Sequence, residues 1–170
     1  MRVGGIVKLC GGDDESIATA LVHDMGNLAK FNNLDDYWSR QQLEFKKKYG
    51  SDAHSATIAI LNEAGLTKLA ENIRAESDFY KNIITIDDYS HVKMPSVLTL
   101  YGDCRVAIDG VVSVEERVCD LEKRYCGERL DRLWIDKLEQ YVQNQSKIDV
   151  RSIGEADVTP LFDELLTCDI

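Results

Sequence analysis

Apolar residues recur at helical spacing along most of the sequence. In the stretch that begins at Val114, for example, Val118, Leu121 and Tyr125 follow at intervals of three and four residues. Only residues 82–87 have a β-like composition, and the alternating pattern of a hairpin or sheet is otherwise missing. This pattern predicts an all-α chain, which we expect to pack as an orthogonal helical bundle.

Glycine and capping residues mark where the predicted helices begin and end. Gly11 and Gly12 end the first helix, Gly65 ends another, and Ser113 with Glu116 forms a capping-box pattern. The predicted helices cover residues 2–10, a segment from Asp13 or Asp14 that carries His23 and Asp24, 34–49, 53–64, 67–76, a segment that starts near Pro95, a segment that starts at Ser113, 128–143 and 159–168. We expect a single domain over residues 1–170, with a core from about 2 to 145 and a C-terminal helix from about 159 to 168.

Composition places the chain among globular proteins. Of its 170 residues, 44% are hydrophobic and 29% are charged, which is enough apolar material for a core and argues against extended disorder. No apolar run has the length of a membrane span, and the N-terminus has no signal-peptide pattern, so we expect a cytoplasmic protein. The five cysteines show no C-x-x-C spacing and are expected to be reduced thiols.

Net charge limits the partners. The formal charge of −10 would repel a phosphate backbone, so extended nucleic-acid binding is not expected. A small phosphorylated molecule remains compatible with this charge if a metal ion neutralises its pocket. The oligomeric state is left open.

His23 and Asp24 place two metal-capable side chains where an amphipathic helix should bury its apolar face. Asp24 follows Leu21 and Ala20 by three and four residues, which puts its carboxylate on the apolar stripe. A buried carboxylate must be paired or neutralised, and a metal ion shared with the neighbouring imidazole achieves this. The side chains point about 100° apart, so both can reach an ion between them. The alternative is a hydrogen-bonded His–Asp pair in the core.

A second stretch reads Leu-Thr-Leu-Tyr-Gly-Asp-Cys-Arg-Val over residues 98–106 and is followed by Asp-Gly-Val-Val-Ser-Val-Glu-Glu-Arg over residues 109–117. Together with the His-Asp doublet, this stretch resembles the HD-domain superfamily of metal-dependent phosphohydrolases. The resemblance extends from Arg2 to about Tyr125. It implies an HD-like helical fold and a divalent metal ion.

The resemblance assigns site residues. It implies metal ligation by His23, Asp24 and Asp103, and it makes His54 a candidate for a second metal position. From the residues alone, Asp103 is also compatible with a salt bridge to Arg105 or Arg117, and a hydrogen-bonded core position is the more usual one for His54.

In the family, a histidine of the first helix completes the ligand set, and the alignment places it just before Met1. The three histidines here are His23, His54 and His91, so none precedes the doublet. Many members also carry Lys after the Gly that follows the doublet, where this chain has Asn27. A truncated start, a site with fewer ligands and a site without activity are the three explanations.

Lys30 and Arg105 are the basic residues nearest in sequence to the expected ligands. Arg105 could hold phosphate oxygens by two hydrogen bonds, and a surface ion pair is the equal alternative. A mixed imidazole and carboxylate set suits manganese, iron, nickel, magnesium or zinc.

The leading hypothesis is a metal-dependent phosphohydrolase that acts on a small phosphomonoester or nucleotide, with Asp24 or another nearby acid orienting the attacking water. The first alternative is a non-catalytic HD-like domain that binds a nucleotide or a partner protein. The second is a helical interaction module without a ligand.

Overall fold

Helices form nearly all of the regular structure in the computed structural model, which describes residues 1–32, 34–83, 89–124 and 133–167. The all-α prediction is therefore confirmed. The first six helices are α1 (Arg2–Leu9), α2 (Asp14–Val22), α3 (Asp36–Tyr49), α4 (Ala53–Glu63), α5 (Thr67–Asn82) and α6 (Met94–Asp103).

A short antiparallel hairpin follows α6. Its strands are β1 (Val106–Ala107) and β2 (Gly110–Val111), with Val106 opposite Val111. The sequence pattern does not predict these strands, because two residues are too few to show alternation. Four helices come after the hairpin: α7 (Val114–Arg124), α8 (Leu133–Gln145), α9 (Glu155–Val158) and α10 (Phe162–Leu165).

Capping side chains set the helix starts that the sequence predicts. The carboxylates of Asp13, Asp35 and Asp52 each accept a hydrogen bond from the backbone N–H three residues later. Ser113 and Glu116 form the predicted reciprocal capping box. These bonds satisfy backbone donors that a helix leaves without partners in its first turn.

The first helix lies against the two helices that carry the candidate ligands. α1 contacts both α2 and α6, and those two also contact each other. Small residues allow this approach: a Cβ on Gly4 would lie 2.7 Å from Leu21 Cδ2, and a Cβ on Gly102 would lie 2.8 Å from Val3 Cγ1. The backbones of α1, α2 and α6 are therefore held close together beside the ends that bear His23 and Asp103.

The C-terminal part of the chain is joined to the rest by a buried arginine. Arg105 is only 1% exposed. Its guanidinium donates hydrogen bonds to the backbone carbonyls of Val112, Val150 and Ile153 at 2.6–2.7 Å and to the Tyr101 hydroxyl at 2.7 Å. This geometry corrects the predicted substrate-binding role of Arg105, because its donors serve the protein backbone in the core.

Two predicted segments differ from the structure. The predicted C-terminal helix is divided into α9, a 3-10 turn at Thr159–Leu161 and α10. The helical spacing predicts Tyr37, Trp38 and Phe45 as apolar anchors of α3, but none of the residues of α3 is buried. The β-like run falls partly, and the start of the predicted helix 128–143 wholly, outside the described residues.

None of the helices in the described segments is both long and apolar enough to cross a membrane.

The largest group of buried apolar residues extends from Val3 in α1 to Leu165 in α10, so the two ends of the described chain share one core. A smaller group, which includes Val22, Leu61 and Ile73, lies between α2, α4 and α5.

Replacing Arg105 by Met should lower the free energy of unfolding by at least about 3 kcal/mol, because three buried carbonyls lose a charged donor. Arg151→Gln is the matched control, since Arg151 bonds Glu139 from an exposed position, and it should leave the stability nearly unchanged. Urea denaturation followed by circular dichroism measures both values. Equal stability of the two variants would contradict a structural role for Arg105.

Candidate metal centre

The structure brings His23, Asp24 and Asp103 together. One potential ligand atom from each residue lies within 4.8 Å of the other two. His23 Nε2 is 3.3 Å from Asp24 Oδ2 and 3.8 Å from Asp103 Oδ1. Residues 80 positions apart in the sequence therefore converge on one small volume, as the resemblance implies.

The His-Asp doublet stands at the end of α2, whose last residue is Val22. The turn that follows packs on α4, where the Thr57 hydroxyl accepts a hydrogen bond from the N–H of Gly26 at 2.8 Å. A Cβ on Gly26 would run into the carbonyl oxygen of Ala53, so only glycine permits this approach. The contact with α4 thus fixes the turn that presents both side chains.

This turn corrects the predicted burial of Asp24. The apolar stripe of α2 ends before Asp24, and its side chain is 53% exposed. His23 is the more enclosed member of the doublet, with a side chain that is 14% exposed. Asp24 can therefore contact both the cluster and solvent.

The hydrogen bonding of His23 leaves one ring nitrogen available as a ligand. His23 Nδ1 lies 2.7 Å from the carbonyl oxygen of Ala20. Because a carbonyl only accepts, this contact assigns the hydrogen of the neutral ring to Nδ1 and the lone pair to Nε2. Nε2 is buried and has no hydrogen-bond partner among the described residues. A backbone carbonyl that orients the ring in this way is typical of metal-binding histidines.

The charges in the cluster support one another. Burial lowers the pKa of His23, but the Asp103 and Asp24 carboxylates outweigh it, so this pKa lies above its usual value. For Asp103, burial acts to raise the pKa, but His23, Arg117 and Lys30 together hold it below its usual value. The cluster therefore favours a positive charge on His23 beside the ionised Asp103.

Asp103 is the last residue of α6, and its side chain is 46% exposed. It forms no salt bridge with Arg105, whose donors point into the core. Arg117 on α7 influences the pKa of Asp103, although its own salt bridge is to Asp120. Of the alternatives raised for Asp103, neither direct ion pair is present in the described part of the chain.

His54 lies outside this cluster. Its Nε2 is 3.5 Å from Oε2 of Glu76, whose side chain is only 9% exposed. The hydrogen bond to Glu76 is the largest influence on the pKa of His54 and raises it above its usual value. Lys30, which is exposed, lies close enough to act on the pKa values of both His54 and Asp103. Lys30 is therefore near both the pair and the cluster.

Sequence reasoning missed Glu76 and considered Arg117 only as an ion-pair partner of Asp103. Glu76 follows Leu69 and Ile73 on one stripe of α5, so a carboxylate on an apolar face was the available signal. Arg117 lies beside the buried Val114 and Val118 on α7. Its proximity to Asp103 depends on the packing of α7 and has no local sequence signal.

The amino group of Met1 lies within electrostatic range of Asp24. Burial and Arg2 lower the pKa of this amino group, and the carboxylate of Asp24 partly offsets them. Met1 directly follows the position that the resemblance assigns to the first-helix histidine.

Comparison with known proteins gave no match. No protein-family model, no curated protein and no solved structure is significantly similar to the chain. The case for the centre consequently depends on the geometry of its own residues.

Asp103→Asn should weaken binding of Mn²⁺ at least about tenfold, since mutation of groups that merely orient metal ligands costs about 10- to 100-fold. Asp24→Asn should do the same while changing the free energy of unfolding by no more than about 0.5 kcal/mol, because Asp24 is exposed. Calorimetric titration with Mn²⁺ measures the affinities. The control is Asp109→Asn, an exposed carboxylate in the hairpin turn.

His54→Gln should remove a pH-dependent part of the stability. The raised pKa of His54 in the folded protein means that its contribution is full below about pH 6.5, the unfolded value, and is lost as the pH rises through the folded value. The groups that act on His54 are Glu76, Lys30 and Asp52. Wild type should therefore exceed the variant in unfolding free energy more at about pH 5.5 than at about pH 9.

Urea denaturation at the two pH values tests this expectation, and the Mn²⁺ affinity of the same samples tests metal ligation by His54. A pH-independent difference, together with lost metal binding, would return His54 to the ligand set.

Proposed function

We propose that this protein is a metal-dependent phosphohydrolase that acts on a small phosphomonoester or nucleotide. The observation that carries the proposal is the buried Nε2 of His23, which has no hydrogen-bond partner in the described chain and faces the carboxylates of Asp24 and Asp103. A divalent cation placed between the Nε2 lone pair and the two carboxylates would satisfy all three groups.

The donor set fits a divalent ion. One imidazole nitrogen and two carboxylates suit manganese, iron, nickel or zinc, and the carboxylates also suit magnesium. Three protein ligands leave positions for water and substrate, which is the usual arrangement of a catalytic site. A bound divalent ion would supply Lewis-acid chemistry, polarising a phosphoryl group and favouring attack by water.

Groups around the ion would orient the imidazole ring, the attacking water and the phosphate. Ala20 holds the His23 ring in place through Nδ1. Asp24 is half exposed, so one of its oxygens can accept a hydrogen bond from the attacking water while the other faces His23. Lys30 adds a positive charge near Asp103 and is placed to attract a phosphate group. His54 with Glu76 forms a second histidine–carboxylate pair beside Lys30.

The helical arrangement supports assignment of the chain to an HD-like fold. The helix that ends in the His-Asp doublet packs directly on the helix that ends in Asp103, and α1 packs on both. The proximity of Met1 to Asp24 supports the same alignment. We assign the protein to this fold as part of the proposal.

The test is a hydrolysis assay on protein purified without chelators. After loading with Mn²⁺, Ni²⁺ or Mg²⁺, wild type should release phosphate from at least one phosphomonoester in a panel that includes nucleoside monophosphates. Asp24→Asn should be inactive, and Asp109→Asn should retain wild-type activity. Metal content is measured on every sample.

Metal binding without hydrolysis of any panel member would favour the alternative, a non-catalytic HD-like domain that binds a nucleotide or partner protein. Absence of metal from wild type would contradict both enzymatic function and the metal centre.

A variant with a histidine inserted directly before Met1 extends the test. One further imidazole beside Asp24 should raise the Mn²⁺ affinity at least about tenfold, since it adds a bond to the ion. An inserted glutamine is the matched control. Equal affinities for the two variants would contradict the alignment that places the family's first histidine there.

A further inference from the structure

A cavity of about 320 Å³ lies between α7, α8 and the 3-10 turn at Val150–Ser152. None of its lining residues belongs to the candidate metal centre. Ligand pockets have volumes of about 300 to 1,000 Å³, so this cavity has room for a small molecule.

The apolar part of the cavity is formed by Val114 and Val118 of α7 and by Ile135 of α8, and all three side chains are buried. These branched side chains offer no hydrogen bonds. An aliphatic group placed against them would be removed from water, which is favourable. This wall therefore suits the apolar part of a small ligand.

Arg105, which also lines the cavity, is a buried cation without a carboxylate partner in the described chain. Its bonds go to three backbone carbonyls and to the Tyr101 hydroxyl. A guanidinium offers one more donor than these four bonds use, so one N–H of Nη2 is left without an acceptor among the described residues. Buried charges are usually paired with an opposite charge, so an anionic group in the cavity would be stabilised.

Arg151 provides a second guanidinium in the same cavity. Its Nε donates to Glu139 Oε1 at 2.7 Å, whereas its Nη groups have no acceptor within the described residues. The other oxygen of Glu139 lies 3.4 Å from the Tyr101 hydroxyl, which in turn accepts from Arg105 Nη1 at 2.7 Å. The two guanidinium groups are therefore joined through Tyr101 and Glu139. The Nη groups of Arg151 match the two oxygens of a carboxylate.

Glu115 and Asp136 add two carboxylates to the lining, and both residues are exposed. Carboxylates repel a simple anion and attract an ammonium group. The cavity thus combines donors for a carboxylate, acceptors for an ammonium group and an aliphatic wall. A free α-amino acid carries the three complementary groups.

We propose that this cavity binds an α-amino acid with an aliphatic side chain. Its carboxylate accepts hydrogen bonds from the Nη groups of Arg151 and from the remaining N–H of Arg105. Its ammonium group faces Glu115 and Asp136, and its side chain packs on the apolar wall. A zwitterion has no net charge, so the formal charge of −10 on the chain does not oppose its binding. The inference is independent of the proposed phosphohydrolase function.

Calorimetric titration of the whole chain with L-leucine tests the proposal. Three further probes each lack one group: isocaproate has no ammonium group, isoamylamine has no carboxylate, and glycine has no side chain. L-leucine should bind at least about tenfold more tightly than each of them, because each loses either a charged hydrogen bond or the burial of an aliphatic group.

Two substitutions, each with a matched control, test the lining residues. Arg151→Gln should weaken L-leucine binding at least about tenfold, and Arg151→Lys should fall between wild type and Arg151→Gln because it keeps the charge but loses the paired donors. Arg124→Gln removes an exposed arginine outside the cavity and should stay within about twofold of wild type. Asp136→Asn should also weaken binding, whereas Asp109→Asn, in the hairpin turn, should not.

The melting temperature of each variant is recorded, so that loss of folding is distinguished from loss of binding. Wild type that binds none of the four probes would overturn the proposal. Isocaproate or isoamylamine binding as tightly as L-leucine would do the same, since the site would then recognise only one charge. Unchanged L-leucine affinity in Arg151→Gln and Asp136→Asn would show that L-leucine binds elsewhere.

Discussion

The hydrogen bonds of the Arg105 guanidinium hold together the region that positions Asp103. They join the end of α6 to the hairpin at Val112 and to the C-terminal segment at Val150 and Ile153. Asp103 is only two residues before Arg105, so its position depends on the same anchor. A charge in the core is tolerated because carbonyl dipoles and the Tyr101 hydroxyl replace its water.

The residues of the candidate centre lie at the C-terminal ends of α2 and α6. His23 caps α2, and Asp103 is the last residue of α6, so each candidate ligand lies at the end of a helix that packs on α1. Backbone carbonyls in the last turn of a helix lack helical partners. Near the end of α2, the carbonyl of Ala20 accepts the Nδ1–H of His23 and so orients the ring. The packing of α2 on α6 therefore brings the candidate ligands together, and a local bond at the end of α2 fixes the His23 ring.

Local chemistry explains which features could be predicted from the sequence. The helix starts at Asp13, Asp52 and Ser113 follow from capping residues that act within three positions. The convergence of His23, Asp24 and Asp103 agrees with the expectation from the resemblance. Within the described residues, the helical pattern was therefore reliable wherever short-range bonds determine structure.

Long-range contacts explain the errors. The burial of Asp24 was wrong because Gly26 and Thr57 draw the chain out of the helix after Val22, a contact 31 residues apart in sequence. Arg105 was assigned to substrate because nothing near it in sequence reveals that its acceptors lie at Val150 and Ile153. Glu76 and Arg117 approach the site only through the packing of α5 and α7.

The absence of buried side chains in α3 has a consequence for how such proteins diverge. α3 lies in the chain between the His-Asp turn and α4, and its main ties are the Gln42 bonds to Leu28 and Phe31 and the contacts of Lys48 and Tyr49 with Glu63. Substitutions at exposed positions alter folding free energy little. Descendants of this chain could therefore replace most of the α3 surface, including Tyr37 and Trp38, while the turn beside it keeps its shape. Sequence drift in this helix would then lower the similarity between relatives while the geometry of the candidate centre stayed the same.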